Sequence, residues 1–325
     1  MRVLPTGITL LALLVATSAG ADPLVLEAKI PLDGVRGRID HLAWDAGRQR
    51  LYVAELGNNS VGIVDLKNRR VVSSVKGFEQ PQGIGYERAT DTVYVANAGD
   101  GSVRLFRGED FAPIAQIPLG DDADNVRVDA DAQRVYVGYG DGALAVIDAA
   151  ARKRLADIPL QGHPESFQLE PKGTRIFVNV PDTAEIAVVS RAGGQQPVSW
   201  SMGELRGNFP LAIDVAHSRV LTILRRPARL QAFDTQTGKG AGGSEVCADA
   251  DDMFVDEKRN RLYVICGEGV VDTHDLSGSD YARIARLATT SGSRTGLFLP
   301  DLDSLVVAIR GSRKEATALW LLRVQ

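Results

Sequence analysis

Apolar and polar positions alternate in short runs that recur along the whole chain. Apolar triplets stand at Leu51–Val53, Val93–Val95, Val135–Val137, Ile176–Val178, Val220–Thr222, Leu262–Val264 and Leu305–Val307. Their central residues are Tyr52, Tyr94, Tyr136, Phe177, Leu221, Tyr263 and Val306, separated by 42, 42, 41, 44, 42 and 43 positions. Each unit holds four runs rich in β-branched and aromatic residues. In the third unit they are Asn125–Asp129, Arg134–Tyr139, Ala143–Asp148 and Arg154–Leu160, with turn residues between them. No run has a helical period, and four short strands repeating in the low forties mark the blade of a β-propeller. The fold expected is therefore all-β: a seven-bladed β-propeller of four-stranded antiparallel blades.

Ring closure follows from the count. After Val306 one strand remains, Ala316–Val324, so the last blade supplies three strands of its own. The apolar-patterned segment Leu24–Leu32 precedes the first complete blade and is expected to complete the C-terminal one. Such pairing removes an open sheet edge.

The segments Arg50–Leu66, Thr92–Phe106 and Arg134–Asp148 share the pattern of a strand, a glycine-containing turn and a second strand. In these the sequence resembles the YVTN-repeat family of seven-bladed β-propellers, and within it the YncE-like exported proteins. The resemblance spans the chain beyond its first residues and implies fold far more than function. The fifth unit departs from it: Arg219–Asp234 lacks the aromatic centre and carries two additional arginines.

Composition refines the picture in three ways. The chain has 325 residues, 44% hydrophobic and 24% charged, with net charge -4. That balance supports a core and gives no overall basic footprint for nucleic acid. Arg2, an apolar run from Ile8 to Ala16 and the small residues Ala19-Gly20-Ala21 read as a signal peptide over 1–21, cleaved before Asp22. A single domain over 22–325 would then be periplasmic or secreted, with no membrane span, and a monomer is expected. The only cysteines are Cys247 and Cys266, a possible disulfide in an oxidising compartment.

Chemical motifs are sparse. There is no C-x-x-C-H, H-E-x-x-H or G-x-S-x-G. Thr237–Gly243 imitates a phosphate loop but no helix follows it, and Asp129–Arg134 imitates part of a calcium loop in a strand–strand turn. His217 and His274 read as surface residues, while His41 and His163 fall near the loops that precede inner strands.

Those loops are where polar residues gather. Twelve positions before the triplet centres stand Asp40, Gln82, Asp124, Glu165, Phe209, Asp251 and Arg294. Eleven before stand His41, Gly83, Asn125, Ser166, Pro210, Asp252 and Thr295, with Asn208 one step earlier in the fifth unit. A propeller puts these loops at one mouth of its central channel. The expected ligand-binding residues are Asp40, His41, Gln82, Asp124, Asn125, Glu165, Ser166, Asn208, Asp251, Asp252 and Arg294. The loops read as acidic in units 3 and 6 and basic in units 5 and 7. Crowded carboxylates repel unless something neutralises them.

Two functions from different classes fit. One is an exported non-catalytic propeller binding a small polar ligand, a cation or a protein partner at this mouth. The alternative is a metal-dependent hydrolase, lactonase or lyase. A divalent cation such as Ca²⁺ would then be held by Asp124, Asn125, Glu165, Asn208 and Asp252, oxygen ligands suited to a hard ion. No cofactor is evident otherwise, and no catalytic base is identifiable.

Overall fold

The computed structural model describes residues 22–325; the leader read over 1–21 lies outside the described residues. Seven four-stranded antiparallel sheets form the ring. Blade 1 runs from Leu42 to Lys76, blade 2 from Pro81 to Pro118, blade 3 from Val126 to Pro159 and blade 4 from Ser166 to Ser201. Blade 5 spans Arg206–Glu245 and blade 6 Ala250–Ala288. Blade 7 combines Gly296–Leu299, Ser304–Ile309 and Ala318–Val324 with the N-terminal strand Leu24–Pro31. That strand pairs antiparallel with the last, Leu24 opposite Val324 and Pro31 opposite Ala318.

Seven apolar clusters sit between neighbouring blades. One joins Tyr52 of blade 1 to Val95 of blade 2, another Tyr136 of blade 3 to Val178 of blade 4, and Ile30 and Leu319 pack with Leu51 across the closure. The triplet aromatics Tyr52, Tyr94, Phe177 and Tyr263 are fully buried and supply the largest side chains of this packing.

Five of the seven inner strands end in an acid that closes the turn, those of blades 4 and 7 ending in Leu169 and Leu299. Asp45, Glu87, Asp129, Asp214 and Asp256 accept backbone N–H groups two or three residues on, a local bond that favours turns. Blade 7 has Leu299 there instead and turns through a short 3₁₀ helix, Pro300–Leu302.

Two expectations need correction. In blades 2, 5 and 6 the inner strand begins early, through a bulge at Pro81/Ile84, Asn208/Leu211 and Ala250/Asp252. Gln82, Asn208, Asp251 and Asp252 therefore lie in strands, not loops, as does Ser166, the first residue of its inner strand. His274 is not a surface residue: it is fully buried in the third strand of blade 6, its Nδ1 2.7 Å from the Tyr281 carbonyl oxygen.

Candidate functional site at the channel mouth

Inner strands of all seven blades start at one face, so their first residues converge there. Gly83 permits the tightest approach: a Cβ on it would meet the carbonyl oxygen of Asp124 at 1.9 Å. Asp124, Asn125, Glu165, Ser166, His41 and Asp251 share one pocket with Arg38 and Phe209. Its free volume is about 10 Å³, close to one water-sized sphere. The two acidic stretches, from blades 3 and 6, thus meet in a single place.

Arginines neutralise much of the crowd. Asp251 accepts from Arg225 Nη2 at 2.5 Å and lies 3.1 Å from Arg294 Nε and 3.8 Å from Arg38. Arg294 also holds Asp249 at 3.0 Å. Arg38 lies 2.8 Å from the buried Asp40, although neither Asp40 oxygen receives a well-aligned hydrogen bond. His41 Nδ1 stands 3.5 Å from Asp252, whose other oxygen accepts the Gly296 N–H at 2.9 Å. Arg225 stacks its guanidinium 3.5 Å over the Phe209 ring.

Other expected residues stand apart from the pocket. Gln82 contributes its carbonyl oxygen to the His41 N–H at 3.3 Å. Asn208 is tied between blades 4 and 5, donating to the Glu185 carbonyl at 2.8 Å and to Asn179 Oδ1 at 3.2 Å. The repeat count did not mark Arg38, because it lies two residues before the first aligned position. Arg225 was visible only as part of a basic sector. Cys247 and Cys266 are joined by a disulfide with Cα atoms 5.9 Å apart, which clamps the segment carrying Asp249–Asp252 to the second strand of blade 6.

With this geometry, the sequence relatives have a place to be compared. No family model matches the chain. Proteins named YncE, described as uncharacterized, are similar: those of Salmonella typhi and Salmonella typhimurium are each 24% identical over 213 residues, covering 60% of this chain and 56% of theirs. One from Escherichia coli is 27% identical over 163 residues, 45% of this chain and 46% of its own. The chain is a seven-bladed propeller whose sequence is similar to these YncE proteins. The matched stretches span about half the length of those relatives, so the likeness carries architecture and leaves activity open. Among solved structures, a chain of Kuenenia stuttgartiensis hydrazine synthase superposes with TM-score 0.72 at 17% identity, covering 85% of this chain and 94% of that one. A chain of a mitotic checkpoint complex gives 0.78 at 11% identity with 99% of each chain covered. At these identities they show the propeller fold alone.

Burial sets the protonation of the mouth. It pushes the Glu165 carboxyl up to about 8, reinforced by Asp124 and Asp251. It raises Asp40 to about 7 against the pull of His41 and Arg38. For His41 burial acts downward, but the Asp252 carboxylate overcomes it and lifts the imidazole to about 10. His163 is lifted to about 9 against burial by Asp124 and by the Gly140 carbonyl oxygen, 2.7 Å from its Nδ1. At neutral pH both imidazoles are therefore charged and Glu165 is protonated.

After these pairings, the pocket-lining groups left over are mostly acceptors. Among the described residues, Asp124 Oδ1 and Asn125 Oδ1 are buried without a partner, while Asn125 Nδ2 donates to the Glu165 carbonyl oxygen at 2.6 Å. Arg38 Nε is the unpartnered donor beside them. Among the described residues, no group of three His, Cys, Asp or Glu side chains is arranged to hold a metal ion.

Proposed function

We propose that this protein is an exported, non-catalytic propeller that binds, at the channel mouth, either a small hydrogen-bond-donating ligand or a divalent cation such as Ca²⁺. The observation that carries the reading is the pair of buried, unpartnered oxygens on Asp124 and Asn125 beside a water-sized pocket. A buried acceptor without a donor costs roughly 1–3 kcal/mol, and a bound donor or cation recovers it. The arginines are engaged with Asp40, Asp249 and Asp251, which leaves Asp124 and Asn125 as the recognition pair. The hydrolase alternative finds less support, since one Asp252 oxygen faces His41 and the other accepts the Gly296 N–H.

The test is thermal unfolding with Ca²⁺, Mg²⁺, chelator and a panel of small amines and polyols. A ligand that binds only the native state stabilises it by about 2.7 kcal/mol at one hundred times Kd. The expected result is a rise with at least one of these ligands that Asp124→Asn removes. A melting temperature indifferent to the whole panel, or a rise that survives Asp124→Asn, overturns the reading.

A further inference from the structure

The opposite end of the channel is built differently. The inner strands of blades 4 to 7 leave a cavity of about 590 Å³ there, within the roughly 300–1,000 Å³ of sites that hold drug-sized ligands. Its walls are Ile213, Met253, Phe254 and Phe298, and its rim carries Glu257 and Asp301.

Two polar side chains in the wall are engaged from within the protein. The Gln168 amide donates to the Leu211 carbonyl oxygen at 3.1 Å, and Asp256 accepts from the Tyr263 hydroxyl at 2.8 Å. Half-buried Phe254, Phe298 and Ile213 line the cavity beside them. Burying them against an apolar body is favourable in proportion to the area covered.

Charge at the rim has one sign left over. Lys258 is 2.9 Å from Asp303, and Arg259 is 3.2 Å from Asp256 and 2.8 Å from Asp303. Both cations are thereby spent on acids. Glu257 and Asp301 are exposed, and among the described residues neither has an ion-pair partner.

We infer that this cavity binds an organic amine with an apolar, preferably aromatic body: the body lies against Phe254, Phe298 and Met253, and the protonated amine sits at the rim between Glu257 and Asp301. The aromatic faces add attraction for a nearby cation. This site is independent of the channel mouth and uses none of its residues.

Three ligands that share one body decide it: 4-phenylbutylamine, 4-phenylbutanol and 4-phenylbutanoate, titrated calorimetrically into the mature protein at pH 7. The amine is expected to bind roughly tenfold more tightly than the alcohol, and the carboxylate more weakly than either. The double variant Glu257→Lys with Asp301→Lys changes only exposed side chains. It should abolish the preference for the amine and favour the carboxylate. Asp124→Asn should leave all three affinities unchanged, which separates this site from the mouth. Equal binding of the three, binding of none, or an amine preference that survives the double reversal overturns the inference.

Discussion

Glu165 and His41 tie the stability of the protein to pH. A group that binds its proton more tightly in the folded chain loses stability as pH rises through the interval between its two values. For Glu165 the folded value near 8 exceeds the ordinary 4.5, so its contribution is full below about 4.5 and is lost as pH climbs through 8. For His41 the contribution is full below 6.5 and lost as pH climbs through about 10, and for His163 as it climbs through about 9. All three point the same way. Melting temperature should fall steadily between pH 6.5 and 10, and Glu165→Gln should flatten the part below pH 8 while leaving the rest. A profile that rises or stays level across that interval contradicts the buried, charged imidazoles. At this scale the sequence was only partly legible. The aligned acids were visible as a set, but their counter-ions were not, because Arg38 and Arg225 reach Asp251 across blade boundaries. His274 misleads in the other direction. Its strand, Val270–Asp275, also holds Asp272, fully buried with Arg286 bonded to both its oxygens at 2.6 and 2.7 Å. Burial then depresses the His274 imidazole, so it stays neutral.

The elements themselves were written plainly in the chain. A period of two within each run gave the strands, and the spacing of the triplets gave the blades. The bulges at the starts of three inner strands were not legible, because a bulge depends on what the neighbouring strand presents and not on a local pattern. The bulged starts of blades 5 and 6 carry Phe209 and Asp251, which line the pocket. The Cys247–Cys266 bridge belongs at this scale too, since it holds the bulged strand of blade 6 against its neighbour. Its loop spans 19 residues of sequence separation, and a bridge of that size stabilises by about 3 kcal/mol. Replacing both cysteines by serine should lower unfolding free energy by about that amount in chemical denaturation. It should also loosen Asp249 and Asp251 from Arg294, which weakens any ligand held by the mouth. Unchanged stability in the double variant would show that the strand holds its position unaided.

Across the whole molecule, closure makes the ring a single cooperative object. Removing 22–32 deletes the strand Leu24–Pro31 and exposes Trp320, Leu322 and the rest of the blade 7 edge. The cluster of Ile30, Leu32, Leu51 and Leu319 between blades 7 and 1 is lost with it. Loss of two fully buried side chains such as Ile30 and Leu32 costs about 2–5 kcal/mol each by analogy with truncations to alanine. Marginal stabilities of about 5–15 kcal/mol cannot absorb that together with an open edge. The shortened protein should fail to give a single sharp thermal transition, as read by scanning calorimetry. Melting at the same temperature as the longer chain would refute closure as the source of cooperativity.

The pairing of Leu24–Pro31 with Ala318–Val324 also sets a schedule. Blades 1 to 6 each draw four strands from one contiguous stretch, so each is free to form as soon as its own stretch has been synthesised. Blade 7 must wait for the last residues, and until then the earliest strand made has no partner. Contacts between chain ends are the slowest to form. Until the last strand is made, Leu24–Pro31 stays an unpaired strand, open to capture by a chaperone before the ring locks.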